Sequence, residues 1–446
     1  MRLKNKAKHV SAIILMLIMV VSSSMVFAAD PNTWTTKAPM ATARFLTDTV
    51  VLNDQIYMIG GHGSSALSSV EQYNPATDTW TTKAPMGYSR YDHQVIVTGG
   101  KIYAIGGGGG TYGCDTAVEE YNPELNAWKT MATMNTRRSS FASALIKGKI
   151  YAIGGSGTNS VEEYVPANNI WVTKTPMSIA RQQFKAVVIN DKIYAMGGYD
   201  GKNYLNSLEE YDPTTDTWTL KAPMKYTRSR FEIAVLNGKI YVIAGTTYGT
   251  SDVPRSIEEY NPSTDSWTLK TSMPAGTSGG KAVVLNNKIY MVGVSGSKTL
   301  EYDPATDKWT YDASLSVGRN DTAVAVVNGK IYAIGGRYGG ADLKSVEEYT
   351  PTSTGGSDNG GNENPPVITG NSAILEITMV NGVIKEYDLN AAELDSFLTW
   401  YDKSSNGSAP AYYTITKKNN IKPFLSRKEY IAYSKIASFE IKEYAG

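Results

Sequence analysis

Three short signatures recur in fixed order along this chain, and together they restrict its fold more than any other feature. The first is Ile-Tyr-x-x-Gly, with tyrosines at Tyr57, Tyr103, Tyr151, Tyr194, Tyr241, Tyr290 and Tyr332. The second is a Glu/Gln-Tyr strand end of the form Tyr-x-Pro, at Tyr73, Tyr121, Tyr164, Tyr211, Tyr260, Tyr302 and Tyr349. The third is a tryptophan strand, at Trp34, Trp80, Trp128, Trp171, Trp218, Trp267 and Trp309. Successive Ile-Tyr tyrosines lie 42 to 49 residues apart, the period of a four-stranded propeller blade. The aromatic content fits: 30 Tyr and 8 Trp stand against 8 Phe, with 41 Gly, which favours many short packed strands over helices.

The order of the signatures fixes how the ring closes. Trp34 precedes the first Ile-Tyr unit, and no tryptophan strand follows Tyr349. Seven blades are complete only if Thr33 to Lys37 supplies the outer strand of the last one, which leaves no bare edge in the ring. Runs such as Ala186 to Ile189 and Ala323 to Val327 are apolar on both faces, as inner strands held between neighbouring blades require. Stretches such as Asn74 to Trp80 carry Pro and Asp where the hairpin between third and fourth strands must turn, so the repeated Asp is read as a turn residue and not as a metal ligand.

This arrangement resembles the kelch family, whose repeat carries an inner strand ending in two glycines, then a Tyr, then a Trp. Gly60-Gly61, Gly106-Gly107, Gly154-Gly155, Gly197-Gly198 and Gly335-Gly336 match, whereas Ala244-Gly245 and Gly293-Val294 keep one glycine each. The resemblance implies an all-β, seven-bladed propeller over residues 30–351, with altered loops at those two blades.

The rest of the chain is organised around that body. Residues 1–28 read as a signal peptide, with a basic start, an apolar core from Val10 to Val21 and small residues before a cut after Ala28 or Ala29. Twelve apolar residues are too few to span a bilayer, and no Cys at the cut offers a lipid anchor. Removing that segment takes away Arg2, Lys4, Lys6 and Lys8, so the net charge moves from +1 to −3; no general attraction to nucleic acid or anionic membrane follows. The single cysteine, Cys114, leaves no internal disulfide, which suits a secreted or cell-surface bacterial protein held by its core alone. Residues 352–366 are Gly, Ser, Asn and Pro without periodicity, a flexible linker. Residues 367–446 read as a small α+β domain: a strand over Ile374 to Met379, an Asn381-Gly382 turn, and a helix with Leu394, Phe397, Leu398 and Tyr401 on one face. Strands over Tyr412–Ile415, Tyr430–Tyr433 and Ser438–Tyr444 follow. This part is similar to tail modules of secreted clostridial repeat proteins, and a second contact to the cell surface or to another protein is its expected role.

Function is expected on the face where loops after the glycines meet the loops between blades. Arg44, Arg90, Arg137, Arg181, Arg228 and Arg319 fall in the second set; His62, Tyr199 and Arg337 fall in the first, and His93 lies near Arg90. An arginine and tyrosine rim suits carboxylates or sugar acids, so the expected ligand is a carbohydrate or an acidic protein segment. The competing reading is that an arginine at this point, a common kelch feature, only ties adjacent loops together. Enzymatic kelch propellers offer two alternatives. A sugar epimerase or mutarotase would use His93 as its general base. A copper radical oxidase would need two Tyr and two His ligands with one Tyr linked to Cys, a pattern absent around His62, His93 and Cys114. A structural surface spacer is a third alternative. No cofactor is expected, and no zinc spacing, phosphate loop or nucleophile elbow is present.

Overall fold

Why the chain folds as it does is visible in the alternation of one blade. A computed structural model describes residues 32–109, 112–247, 255–277 and 279–351, together with strands and some helical positions beyond 371. Blade 1 consists of Asp48–Leu52, Gln55–Ile59, Val70–Asn74 and Thr79–Lys83, paired antiparallel in that order. Its second strand, Gln-Ile-Tyr-Met-Ile, is buried at every position after the first, while its fourth shows only Trp80 and Lys83 partly covered. Burial is therefore deepest at the second strand and falls off towards the fourth, and the residue types follow it. Five further blades repeat this order along the chain.

The last sheet carries the closure predicted from the tryptophan count. Thr33–Lys37 pairs antiparallel with Val346–Thr350, Trp34 opposite Tyr349. In all seven sheets the tyrosine of the third strand faces the tryptophan of the fourth at ring-centroid distances of 4.8 to 5.2 Å. Such cross-strand aromatic pairs are the unit of sheet stabilisation. Each indole N–H also reaches the connection that enters its own blade from the preceding one: Trp80 donates to Ala38 O at 2.8 Å, and Trp34 donates to Ala313 O at 3.0 Å. The turn aspartates do the same from the other side, Asp78 accepting from Tyr73 Oη at 2.7 Å and from Ala38 N at 2.8 Å. The hydrophobic clusters accordingly straddle blade boundaries; one joins Tyr194, Met196 and Leu208 of blade 4 to Met224, Phe231 and Tyr260 of blade 5.

The second compact unit begins beyond the propeller. Ser372–Met379 is the centre of a three-stranded sheet between Ile384–Asn390 and Ile436–Tyr444, and Tyr412–Thr416 pairs with Lys428–Ala432. The strand at Ile384–Asn390 was not foreseen; Asn390 ends it. Leu394, Phe397 and Trp400 are helical and buried against Leu375, Ile377 and Ile431. The leader at 1–28, the linker at 352–366, the Asn381-Gly382 turn and Leu398 lie outside the described residues. Among the described residues no helix is long and apolar enough to cross a membrane.

Candidate functional site

The loops after the glycines and the loops between blades do meet on one face, and they meet rung by rung. Short backbone bridges join Phe45 to His62, Tyr91 to Gly108, Gln182 to Tyr199, Ser229 to Thr246 and Asn320 to Arg337. Blade 3 makes the equivalent contact through hydroxyls, Ser139 Oγ and Ser156 Oγ lying 2.6 Å apart.

The expected arginine rim is not on this face. Arg44, Arg90, Arg181, Arg228 and Arg319 are fully covered, as is Arg138. Each sends Nη2 to a buried glutamate of its own blade: Glu71, Glu119, Glu209, Glu258, Glu347 and, for Arg138, Glu162, at 2.5 to 2.9 Å. Nη1 binds the carbonyl that ends the inner strand, Gly60 O at 2.8 Å for Arg44 and Gly197 O at 2.9 Å for Arg181. The glutamates in turn accept loop N–H groups, as Glu209 does from Ser178 at 2.8 Å. Burial pulls these guanidinium groups below their ordinary pKa, and the paired carboxylates push back. A charge so enclosed is neutralised locally, and the one donor left over, the Nε–H of Arg44, Arg90, Arg138, Arg181 and Arg228, is itself buried and out of a ligand's reach.

Blade 6 supplies the internal control. Where other blades have arginine it has Thr277, and where they have the glutamate it has Leu300, fully buried. Both halves of the pair are missing together, as expected of a structural unit. The same blade carries a bulge between Val292 and Val294, in place of the second glycine.

His93 is also misplaced by the sequence reading. It is 3 % exposed and occupies the slot that Phe141, Phe184 and Phe231 fill in blades 3 to 5. Neither ring nitrogen has a partner. Burial, helped by Arg90, drives its pKa down to about 3. A base that weak and that enclosed cannot take a proton from a sugar at neutral pH.

Four expected residues remain accessible. Arg137 is exposed, stacks over the Tyr112 ring at 5.4 Å and lies 3.4 Å from Asp115. Together with Ser139 and Ser156 they line an open hollow of about 690 Å³. Cys114 is buried at its floor, its thiol pKa raised mainly by burial. Tyr199 packs on Tyr204 with centroids 5.4 Å apart. His62 and Arg337 belong to a feature the sequence reading missed, a contiguous aromatic row across blades 7, 1 and 2. The Arg337 guanidinium sits 5.1 Å above the Phe45 ring, Phe45 lies 5.2 Å from His62, and His62 lies 5.3 Å from Tyr91. Glycine makes room for it: a Cβ on Gly108 would stand 3.1 Å from the Tyr91 ring. The signal for Phe45 and Tyr91 was their column: each directly follows a buried arginine, and that position faces the rim.

Among the described residues no three His, Cys, Asp or Glu side chains come together as a metal-binding set. The Kelch motif matches residues 43–87, 89–135, 137–178, 180–225, 227–274 and 318–354, and a second form of it matches 276–316, the divergent blade. An uncharacterized protein of Clostridium acetobutylicum is 32% identical over 72 residues, which is 16% of this chain and 18% of that protein's length. Among solved structures, a fungal alcohol oxidase in complex with copper superposes with a TM-score of 0.60 at 14% identity, covering 93% of this chain and 99% of its own. YjhT is similar at a TM-score of 0.48 and 15% identity, covering 71% of this chain and 98% of its own. At such identities the likeness is one of fold.

Proposed function

The chain belongs to the kelch-repeat family, and from that premise we propose that it is a secreted, non-catalytic binding module whose glycine-loop face holds a carbohydrate. One observation carries this reading: the unbroken row Arg337, Phe45, His62 and Tyr91, set on a rim whose remaining rungs present Ser139, Ser156, Gln182, Ser229 and Thr246. Flat rings offer a negative π face to the C–H groups on one side of a sugar, and rim hydroxyls and amides serve its hydroxyl groups. The acidic-segment alternative rested on a ring of free arginines, and five of those six side chains are committed to glutamates.

A glycan array probed with the full chain tests the reading. Binding to at least one glycan class, lost on Phe45→Ala with Tyr91→Ala and retained on Lys308→Ala at the outer strand, is the expected result. Binding indifferent to the ring substitutions, or an array without signal, overturns it. Export is part of the proposal and rests on the leader-like residues 1–28. Sequencing the amino terminus of protein recovered from the medium should begin after Ala28 or Ala29.

A further inference from the structure

Blade 6 interrupts the rim. The loop after its inner strand is only Ser295-Gly296-Ser297, between Val294 and Lys298. In blade 5 the same loop runs from Ile243 to Ile257, and in blade 7 from Ile334 to Val346. Among the described residues this short turn forms no backbone bridge to the loop between blades. It is tied down instead by Ser295 Oγ, which donates to Gly276 O at 3.1 Å. Thr277 stands where the other blades bury an arginine, its Oγ1 accepting from Gly280 N at 2.8 Å, so no guanidinium fills the corner beneath.

The missing bulk leaves a hollow of about 430 Å³ between the longer loops of blades 5 and 7. Its side chains are Thr246, Thr277, Ser295, Asn320 and Tyr338, with three glycines between them. That volume lies in the range of small-molecule sites. None of these side chains carries a charge.

Tyr338 is the aromatic wall. It belongs to a small hairpin in which Arg337–Tyr338 pairs with Ala341–Asp342. Two glycines from neighbouring loops admit its ring: a Cβ on Gly318 would stand 2.7 Å from it, and one on Gly296 would stand 3.4 Å away. The side chain is still 54 % exposed, so a ring held in place keeps much of its apolar surface uncovered. Asn320 stands beside it, bridged through the backbone to Arg337. Among the described residues neither the Asn320 amide nor the Tyr338 hydroxyl has a hydrogen-bond partner. The hollow also adjoins the aromatic row, because Tyr338 directly follows Arg337, whose guanidinium lies 5.1 Å above Phe45.

We infer that the blade 6 hollow is a terminal subsite for an uncharged sugar unit, on a saccharide chain whose other units lie along the aromatic row. Tyr338 is the platform for the terminal ring, and Asn320 serves its hydroxyl groups. This rests on the carbohydrate reading of the face and adds the length and charge of the ligand, a neutral linear oligosaccharide. Hydroxyl groups find both donors and acceptors among Thr, Ser, Asn and Tyr side chains. A uronate or an amino sugar would bring a charge that no lining side chain compensates.

The probes are the dimers and hexamers of four neutral series, cello-, manno-, xylo- and malto-oligosaccharides, with the galacturonate hexamer as charged counterpart. Each is titrated calorimetrically into the full chain. In at least one neutral series the hexamer should bind about tenfold tighter than the dimer, the worth of one aromatic platform, and tighter than the galacturonate hexamer. Tyr338→Ala should lower the hexamer to the affinity of the dimer and leave the dimer unchanged, and Asn320→Ala should weaken the hexamer selectively. Both variants should melt within about 2 °C of the parent, as changes of exposed side chains do. Equal affinity of dimer and hexamer, a preference for galacturonate, or a Tyr338→Ala loss that is absent or shared by the dimer overturns the terminal subsite while the carbohydrate reading stands. Binding of no probe also overturns it, and the glycan array then decides the wider reading separately.

Discussion

Replacing Arg181 with alanine separates a structural from a ligand-binding arginine more sharply than any other single change. In the native protein its Nη1 donates to Gly197 O and Ser207 O at 2.9 and 3.1 Å, and Nη2 to Ser207 Oγ and Glu209 Oε1, both at 2.8 Å. Arg181→Ala strands Glu209 in a buried site with one remaining N–H donor, from Ser178. Breaking a buried pair from one side costs about 3–5 kcal/mol, most of it the uncompensated charge. At roughly 2–4 °C per kcal/mol for a domain of 150–250 residues, calorimetry should show the melting temperature fall by about 6–20 °C. The double variant Arg181→Thr with Glu209→Leu copies blade 6 and removes both charges. It should be more stable than the single variant, with a coupling of about 1–3 kcal/mol. An Arg181→Ala protein that melts within about 2 °C of the parent, yet no longer binds its glycan, refutes the structural assignment.

His93→Phe should raise stability by about 1–3 kcal/mol, because it removes two unpaired buried nitrogens from a slot that phenylalanine fills elsewhere. The same substitution should flatten the acid limb of the stability curve. The native imidazole stays neutral down to about pH 3, while the unfolded one takes a proton near 6.5, so stability drops by up to about 1.4 kcal/mol per unit as pH falls through that window. Denaturant melts of both proteins across that range check it, and parallel curves count against it. Trp34→Ala, which deletes the Tyr349 contact and the bonds to Thr299 Oγ1 and Ala313 O, should cost about 3–5 kcal/mol and expose Val346–Thr350 to limited proteolysis. Cys114 should react with a thiol reagent far more slowly in the folded protein than in denaturant, since burial both covers it and disfavours its thiolate.

The blades were legible because every one repeats local chemistry: Ile-Tyr before the glycine turn, Tyr opposite Trp, Asp at the hairpin. The closing strand was legible by counting alone. The site was not, and the reason is distance along the chain. Arg44 finds Glu71 27 residues later, inside a strand whose Glu-Gln-Tyr reads as an ordinary edge pattern. Only the joint loss of both partners at Thr277 and Leu300 betrays the pairing in sequence, and that requires the blades to be aligned column by column. The same alignment places His93 among phenylalanines.

The shut ring also has a history. Trp34 must wait for Thr299 and Ala313, which lie 265 and 279 residues further on. At about 5–20 residues per second of synthesis, the delay is roughly 13–56 s. Throughout that interval the growing arc has two bare ends, each able to template a neighbour of the same kind. The clasp formed from the earliest and latest parts of the chain ends this exposure in one step. Any chain cut short before the final blade keeps both ends open, and aggregation is the fate the geometry assigns to it.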